Sequence, residues 1–235
     1  MITIKIADLV IGIDNRYEHL QILAKDYLVD AKPLFTVSAS EEEIDSERAA
    51  AGTNYSRGYY ESAVAYRKIA GKLYEYDAFL LHGCVIEYDG KAYVITAKSG
   101  VGKTTHSRLW LSEFPTDAKI LNGDKPIIRI IDGVVYACGT PWQGKENYGR
   151  NAICPLGGIA FLERAEENRA HRITPSEAVN RFIYQMYLPK DSRIATAKTL
   201  ALANKVISST RLVLLGCNMD PTAAHVCRRA LLSDE

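Results

Sequence analysis

Over residues 1–13 apolar and polar positions alternate, with Ile2, Ile4 and Ile6 and then Leu9, Ile11 and Ile13 in phase, which predicts a strand or bent hairpin. Residues 17–28 read as a short helix and 32–38 as a second strand. The acidic stretch 40–46 reads as a solvated helix start or loop. Tyr59, Ala63, Tyr66, Ala70 and Leu73 recur at helical spacing, predicting a helix over 57–74 with that stripe buried. A second regime starts at 78. An apolar run, 78–87, meets Asp89-Gly90, a strong two-residue hairpin signal, and 91–97 runs back. A helix over 103–113, a strand at 119–122 and a second Asp-Gly hairpin about Asp132-Gly133 follow. The remainder reads as a buried strand at 156–162 and a charged connection at 163–172. Then come a helix from Pro175 through 186 opened by a Thr174/Glu177 capping box, an Ala-rich helix over 193–208 with Ile194, Leu200, Ala201 and Ile207 inward, a strand at 211–215 and a last helix at 221–232. The pattern is α/β: a mixed sheet with antiparallel hairpins in 77–235, and an N-terminal α+β region, 1–76, packed on that core.

The stretch Ala97-Lys98-Ser99-Gly100-Val101-Gly102-Lys103-Thr104 lies between a predicted strand and a predicted helix. That is the setting of a phosphate-binding loop (P-loop): glycines let backbone N–H groups turn onto an anion, and the helix N-terminus adds partial positive charge. The candidate nucleotide-binding residues are Ser99, Gly100, Val101, Gly102, Lys103, Thr104 and Thr105, with the Thr104 hydroxyl as a Mg²⁺ ligand. Ala97 stands where the first glycine of such a loop is expected. The loop either absorbs an Ala at φ > 0 or keeps Ala97 at φ < 0.

Counting out from the turns brings further groups to this loop. If Tyr88 pairs with Lys91, His82 falls opposite Ala97, as a functional histidine or as an ordinary strand residue. The 103–113 helix climbs about 16 Å and the strand at 119–122 descends, so Gly123-Asp124 arrives beside Lys103 and Thr104. Asp124 there ligates Mg²⁺, directly or through water, or accepts a proton from a nucleophile; otherwise it belongs to a plain turn. If Ile131 pairs with Val134, Thr140 falls opposite Lys125, and the Gly-rich segment 139–150 starts at the same edge as a ligand-covering loop or an exposed connection. A nucleoside triphosphate carries about −4 and one Mg²⁺ removes half of that, so cations beyond Lys103 are needed; Lys125, Lys145 and Arg150 are candidates. Glu146 is a candidate metal ligand or a partner of Lys145.

Composition narrows the classes. A net charge of +1 over 235 residues gives no field for nucleic acid or an anionic membrane. No apolar run is long enough to span a bilayer, and the first residues lack a signal-peptide pattern. Five cysteines without C-x-x-C spacing fit buried thiols in a reducing cytoplasm. There is no apolar run ending in Asp-Glu of the kind an NTP hydrolase uses.

With His82-Gly83 upstream, Gly100-Val101-Gly102-Lys103-Thr104-Thr105 in the loop and Asn122-Gly123-Asp124 downstream, residues 78–165 resemble the HPr kinase/phosphorylase family and the nucleotide site of phosphoenolpyruvate carboxykinases. The resemblance implies a P-loop kinase-like fold and an ATP- and Mg²⁺-dependent kinase. Its acceptor would be a hydroxyl, on a serine-bearing protein or peptide or a small alcohol. The resemblance also implies that Asp124 is the base, with His82 beside it and Lys103 on phosphate, and it hints at a homo-oligomer. Two departures stand out. Lys125 follows Asp124 where the family has a second acidic residue, and only Glu146 loosely matches a Glu-containing motif. A nucleotide-binding regulatory module with little catalysis is the alternative.

Overall fold

The structure is a computed structural model describing residues 1–233, with twelve strands and seven α-helices among them. β1 (Ile2–Ile6) and β2 (Leu9–Asp14) form an antiparallel hairpin, turned by Ala7 and Asp8, both at positive φ. After α1 (His19–Leu23), β3 (Phe35–Ser38) adds parallel to β2 and completes a three-stranded sheet. The acidic stretch becomes α2 (Glu41–Ala51), because the Ser40 side chain and Glu43 close a reciprocal capping box. α3 (Arg57–Ala70) lies beside it, tied by Arg57 to Glu41 and Asp45 and by Lys68 to Glu43.

Ala70 and Leu73 of the predicted stripe are buried, but the buried surface of α3 departs from it toward the N-terminus. Tyr59 is exposed, while Tyr60, Val64, Ala65 and Ile69 are buried. The helix packs on two sides, Tyr60 and Val64 with Ile44 of α2 and Ala65 and Ile69 with the three-stranded sheet, which a single-stripe reading cannot capture.

The larger sheet contains β4 (Ala78–Leu80), β5 (Cys84–Tyr88), β6 (Lys91–Thr96), β7 (Lys119–Asn122), β8 (Ile127–Ile131), β9 (Val134–Cys138) and β10 (Ile153–Arg164), in the order β4-β8-β9-β10-β6-β5-β7. β12 (Leu212–Cys217) pairs parallel with β10, and β11 (Arg169–Arg172) pairs antiparallel with β12. β10 makes the sheet curl. Its first residues pair with β9, and after a register shift at Leu156/Gly158 it runs parallel to β6. The predicted strand at 156–162 is therefore longer at both ends, and the predicted connection at 163–172 holds β11.

The apolar run 78–87 is two strands. β4 pairs with β8 and β5 with β6 and β7, and the chain changes partners at Leu81-His82-Gly83. Both Asp-Gly turns have positive φ at each turn residue and give the registers counted from sequence, Tyr88 with Lys91 and Ile131 with Val134.

On one face of the sheet α4 (Lys103–Glu113) and α7 (Thr222–Leu232) bury Trp110, Phe114, Ala223, Cys227 and Leu231. On the other, α5 (Pro175–Ile183) and α6 (Arg193–Ser209) bury Ala178, Phe182, Leu202 and Val206. α5 has the predicted capping box but stops short of 186. α6 buries Ile207 as expected, but turns Ile194 and Ala201 outward and Thr199, Leu202 and Val206 inward. The N-terminal layer shares one apolar cluster with the large sheet, in which Ile4, Ile11 and Leu73 meet Leu80, Ile127, Cys138 and Trp142.

Candidate functional site

The site is built where β6, β7 and the β4–β5 junction end together. β6 ends at Thr96, residues 97–102 form a loop that buries Ala97 and exposes 98–100, and α4 starts at Lys103. Gly100 (φ 78) and Gly102 (φ 130) occupy backbone that other residues avoid, and a Cβ added at either meets nothing within 4 Å. Ala97 is not among the positive-φ residues, so the missing glycine costs the backbone nothing. Lys103 is buried, and its ammonium turns back to donate to the carbonyls of Ala97 (2.9 Å) and Lys98 (3.5 Å). Thr104 and Thr105 are exposed on the first turn of α4, and Lys98, Ser99 and Gly100 are exposed in the loop. Arg164, which the sequence did not single out, donates to the carbonyls of Gly100 (2.6 Å) and Val101 (3.3 Å) and so engages the loop from β10.

Asp124 follows β7. The adjoining Asn122, fully buried, is the keystone. Its Oδ1 accepts from the N–H groups of Asp124 (3.0 Å) and Lys125 (2.8 Å), and its Nδ2 donates to the carbonyl and hydroxyl of Thr140 (3.0 and 3.1 Å). The Thr140 hydroxyl in turn donates to the Lys125 carbonyl at 2.7 Å. The Gly83 N–H donates to the Asp124 carbonyl at 3.0 Å. Each oxygen of the Asp124 carboxylate has a partner: His82 Nε2 is 3.3 Å from Oδ1 and Lys125 Nζ 2.8 Å from Oδ2. Burial opposes ionisation of Asp124, but the His82 hydrogen bond and the Lys125 charge outweigh it and hold the carboxyl at about 2.

His82 is held from the other side by Gln185, whose carbonyl accepts the His82 N–H at 2.7 Å and whose Oε1 lies 3.1 Å from Nδ1. Burial lowers the pKa of Lys103; the charge of Asp124 opposes that shift and the charge of Lys125 adds to it. Hydrogen bonds link the elements that carry them: Lys103 donates to the Ala97 carbonyl, the Thr96 hydroxyl donates to the His82 carbonyl at 2.8 Å, and the Gly83 N–H donates to the Asp124 carbonyl.

Segment 139–150 starts at this edge and is tied down along its length. Trp142 donates to the Ser62 hydroxyl at 2.9 Å, and its carbonyl accepts from the Lys125 N–H at 3.2 Å. Gly144, at φ 79, passes Asp124 so closely that an added Cβ would lie 3.1 Å from the Asp124 Cβ. Gly149 bridges to Asn122, and the Arg150 N–H donates to Leu121.

The side chains proposed from this segment have other commitments. Glu146 pairs with Arg108 at 2.6 Å, not with Lys145, and the Arg150 guanidinium pairs with Glu87. Lys145 is exposed. Among the described residues no three His, Cys, Asp or Glu side chains are grouped to hold a metal, and no helix is long and apolar enough to cross a membrane.

Two clefts lie away from this cluster. One of about 360 Å³ is lined by Asp14, Arg16 and Lys68, and a groove of about 660 Å³ runs between α2, α3 and residues 187–195. Neither is lined by residues of the 97–104 loop, by His82 or by Asp124.

No protein-family model and no curated protein matches this chain. Among solved structures it is similar to the Hpr(Ser) kinase/phosphatase from Coxiella burnetii, at 9% sequence identity and a TM-score of 0.38, covering 64% of this chain and 88% of that one.

Proposed function

We propose that the protein is an ATP- and Mg²⁺-dependent phosphotransferase that passes a phosphoryl group to a hydroxyl, on a serine-bearing protein or peptide or on a small alcohol. The observation that carries this reading is the His82–Asp124 pair, joined by hydrogen bonds through Thr96 and Gly83 to the strand end and loop that hold Lys103, at the base of a strand–loop–helix with positive-φ glycines. The N–H groups of 99–105 and the Lys103 ammonium would receive the β- and γ-phosphates, Lys103 exchanging its carbonyl partners for phosphate oxygens.

Bound with the nucleotide, Mg²⁺ supplies charge neutralisation on the phosphate oxygens. The residues fit an ion that brings most of its ligands as phosphate and water oxygens. Of the proposed metal ligands, the Thr104 hydroxyl is exposed beside the loop, whereas the Asp124 and Glu146 carboxylates are engaged by cations or His82. Asp124, ionised at neutral pH, accepts the acceptor hydroxyl's proton as the acceptor oxygen bonds to the γ-phosphorus and the bond to the β-phosphate oxygen breaks, giving a phosphate ester and ADP. His82 aims the carboxylate, and Lys103 would face the charge that develops.

The test is incubation with γ-labelled ATP, Mg²⁺ and a panel of serine peptides and small alcohols. Label is expected on a hydroxyl. Asp124→Asn should bind nucleotide as the parent does and lose transfer by about 10²–10⁴-fold, and Lys103→Met should lose nucleotide affinity. Nucleotide binding without transfer to any acceptor would make the protein a regulatory module, and absence of nucleotide binding would overturn the reading.

A further inference from the structure

Asp124 and Lys125 are neighbours in sequence, and neighbours on an extended chain point apart. Here the Asn122 side chain holds both N–H groups in one turn, Thr140 holds the Lys125 carbonyl, and the two side chains come together at 2.8 Å with both residues half-buried. The second carboxylate oxygen faces His82. To ligate a metal ion, Asp124 would have to give up a charge-assisted bond while the ammonium repelled the incoming cation. No second carboxylate stands ready to compensate: Glu146 is bonded to Arg108, and among the described residues no metal-capable group of three exists.

Resting on the phosphotransferase reading above, the geometry points to Lys125 as a positioning residue: its ammonium stands in for a cation on Asp124, so that Asp124 is the proton acceptor and not a metal ligand, and the protein takes up a divalent ion only together with nucleotide. Lys125 thereby keeps one carboxylate oxygen fixed while the other stays with His82, and the nucleotide's ion has Thr104 as its protein oxygen.

The test is Mn²⁺ titration followed by electron paramagnetic resonance, without nucleotide, alongside nucleotide titration and single-turnover kinetics on the same samples. The parent is expected to show no site tighter than millimolar without nucleotide. Lys125→Asp should gain one at least about tenfold tighter, and the Asp124→Asn/Lys125→Asp double variant should lose it. Lys125→Met, which keeps the stem, should hold nucleotide affinity within about twofold while kcat falls about 10–100-fold, with partial recovery in Lys125→Arg; this arm decides the matter if Lys125→Asp does not fold. A nucleotide-independent Mn²⁺ site in the parent that Asp124→Asn abolishes, or an unchanged kcat in Lys125→Met, overturns the assignment. A parent that binds no nucleotide ends the phosphotransferase reading instead, and the titration on the same sample separates the two failures.

Discussion

Asn122→Ala is expected to disable the site and loosen the fold together. The side chain is fully buried and makes four hydrogen bonds, to the N–H groups of Asp124 and Lys125 and to the carbonyl and hydroxyl of Thr140. Truncation strips the Asp124 N–H of this acceptor and the Thr140 carbonyl of this donor. The Lys125 N–H keeps its longer bond to the Trp142 carbonyl, at 3.2 Å, and the Thr140 hydroxyl keeps the Lys125 carbonyl. Two groups left unpaired cost about 1–3 kcal/mol each, so the loss should be roughly 2–6 kcal/mol out of the 5–15 kcal/mol typical of a domain. Asn122→Asp is the control: it keeps the acceptor for the two N–H groups but sets a carboxylate oxygen against the Thr140 carbonyl, 3.0 Å from the present Nδ2. Urea unfolding followed by far-ultraviolet circular dichroism reads the stability, and transfer from labelled ATP reads the aim of Asp124. A loss below 1 kcal/mol, or full turnover in a variant that is folded but weakened, would refute the role given to Asn122.

Other expectations follow from single contacts. The Trp110 indole donates to His106 Nε2 at 3.1 Å, and burial lowers the His106 pKa from 6.5 to about 4. The unfolded chain therefore takes up this proton first, and stability present above pH 6.5 is lost as pH falls through 4, by about 3 kcal/mol. The pH dependence of the urea midpoint should flatten in His106→Gln; identical slopes would refute the assignment. Gly144→Ala forces a side chain into left-handed backbone against Asp124 and should cost about 1–2 kcal/mol, with kcat falling more than nucleotide affinity in a kinetic assay. Trp142→Phe removes the bond to Ser62 and should cost about 1–2 kcal/mol. Ser62→Ala added to it should cost less than the sum of the two in a double-mutant cycle, and strict additivity would show that the bond contributes nothing.

What could be read from sequence was whatever local turn chemistry decides. Each Asp-Gly turn sets the register of its hairpin, so counting outward placed His82 and Thr140 near their observed positions, and the Gly-rich stretch ahead of Lys103 marked the start of α4. What could not be read depends on distant partners. Gln185 meets His82 across 103 positions of chain, and Ser62 meets Trp142 across 80. An apolar run such as 78–87 carries no mark of where it changes sheet partners. The face of α3 is only partly legible because a helix packed on two sides has no single stripe. Asn122 stood in plain view beside Asp124, but its role appears only once Thr140 lies opposite Lys125.

The 139–150 segment stands as an arch over the Asp124 carboxylate. One foot rests on Lys125 and α3 through Thr140 and Trp142, the other on β7 through Gly149 and Arg150, and the Glu146–Arg108 pair braces the span to α4. Because Gly144 lies against Asp124, an acceptor on the phosphotransferase reading would have to enter beside the span or lift its middle. Admitting a bulkier acceptor would call for changes between Gln143 and Tyr148, with both footings left alone.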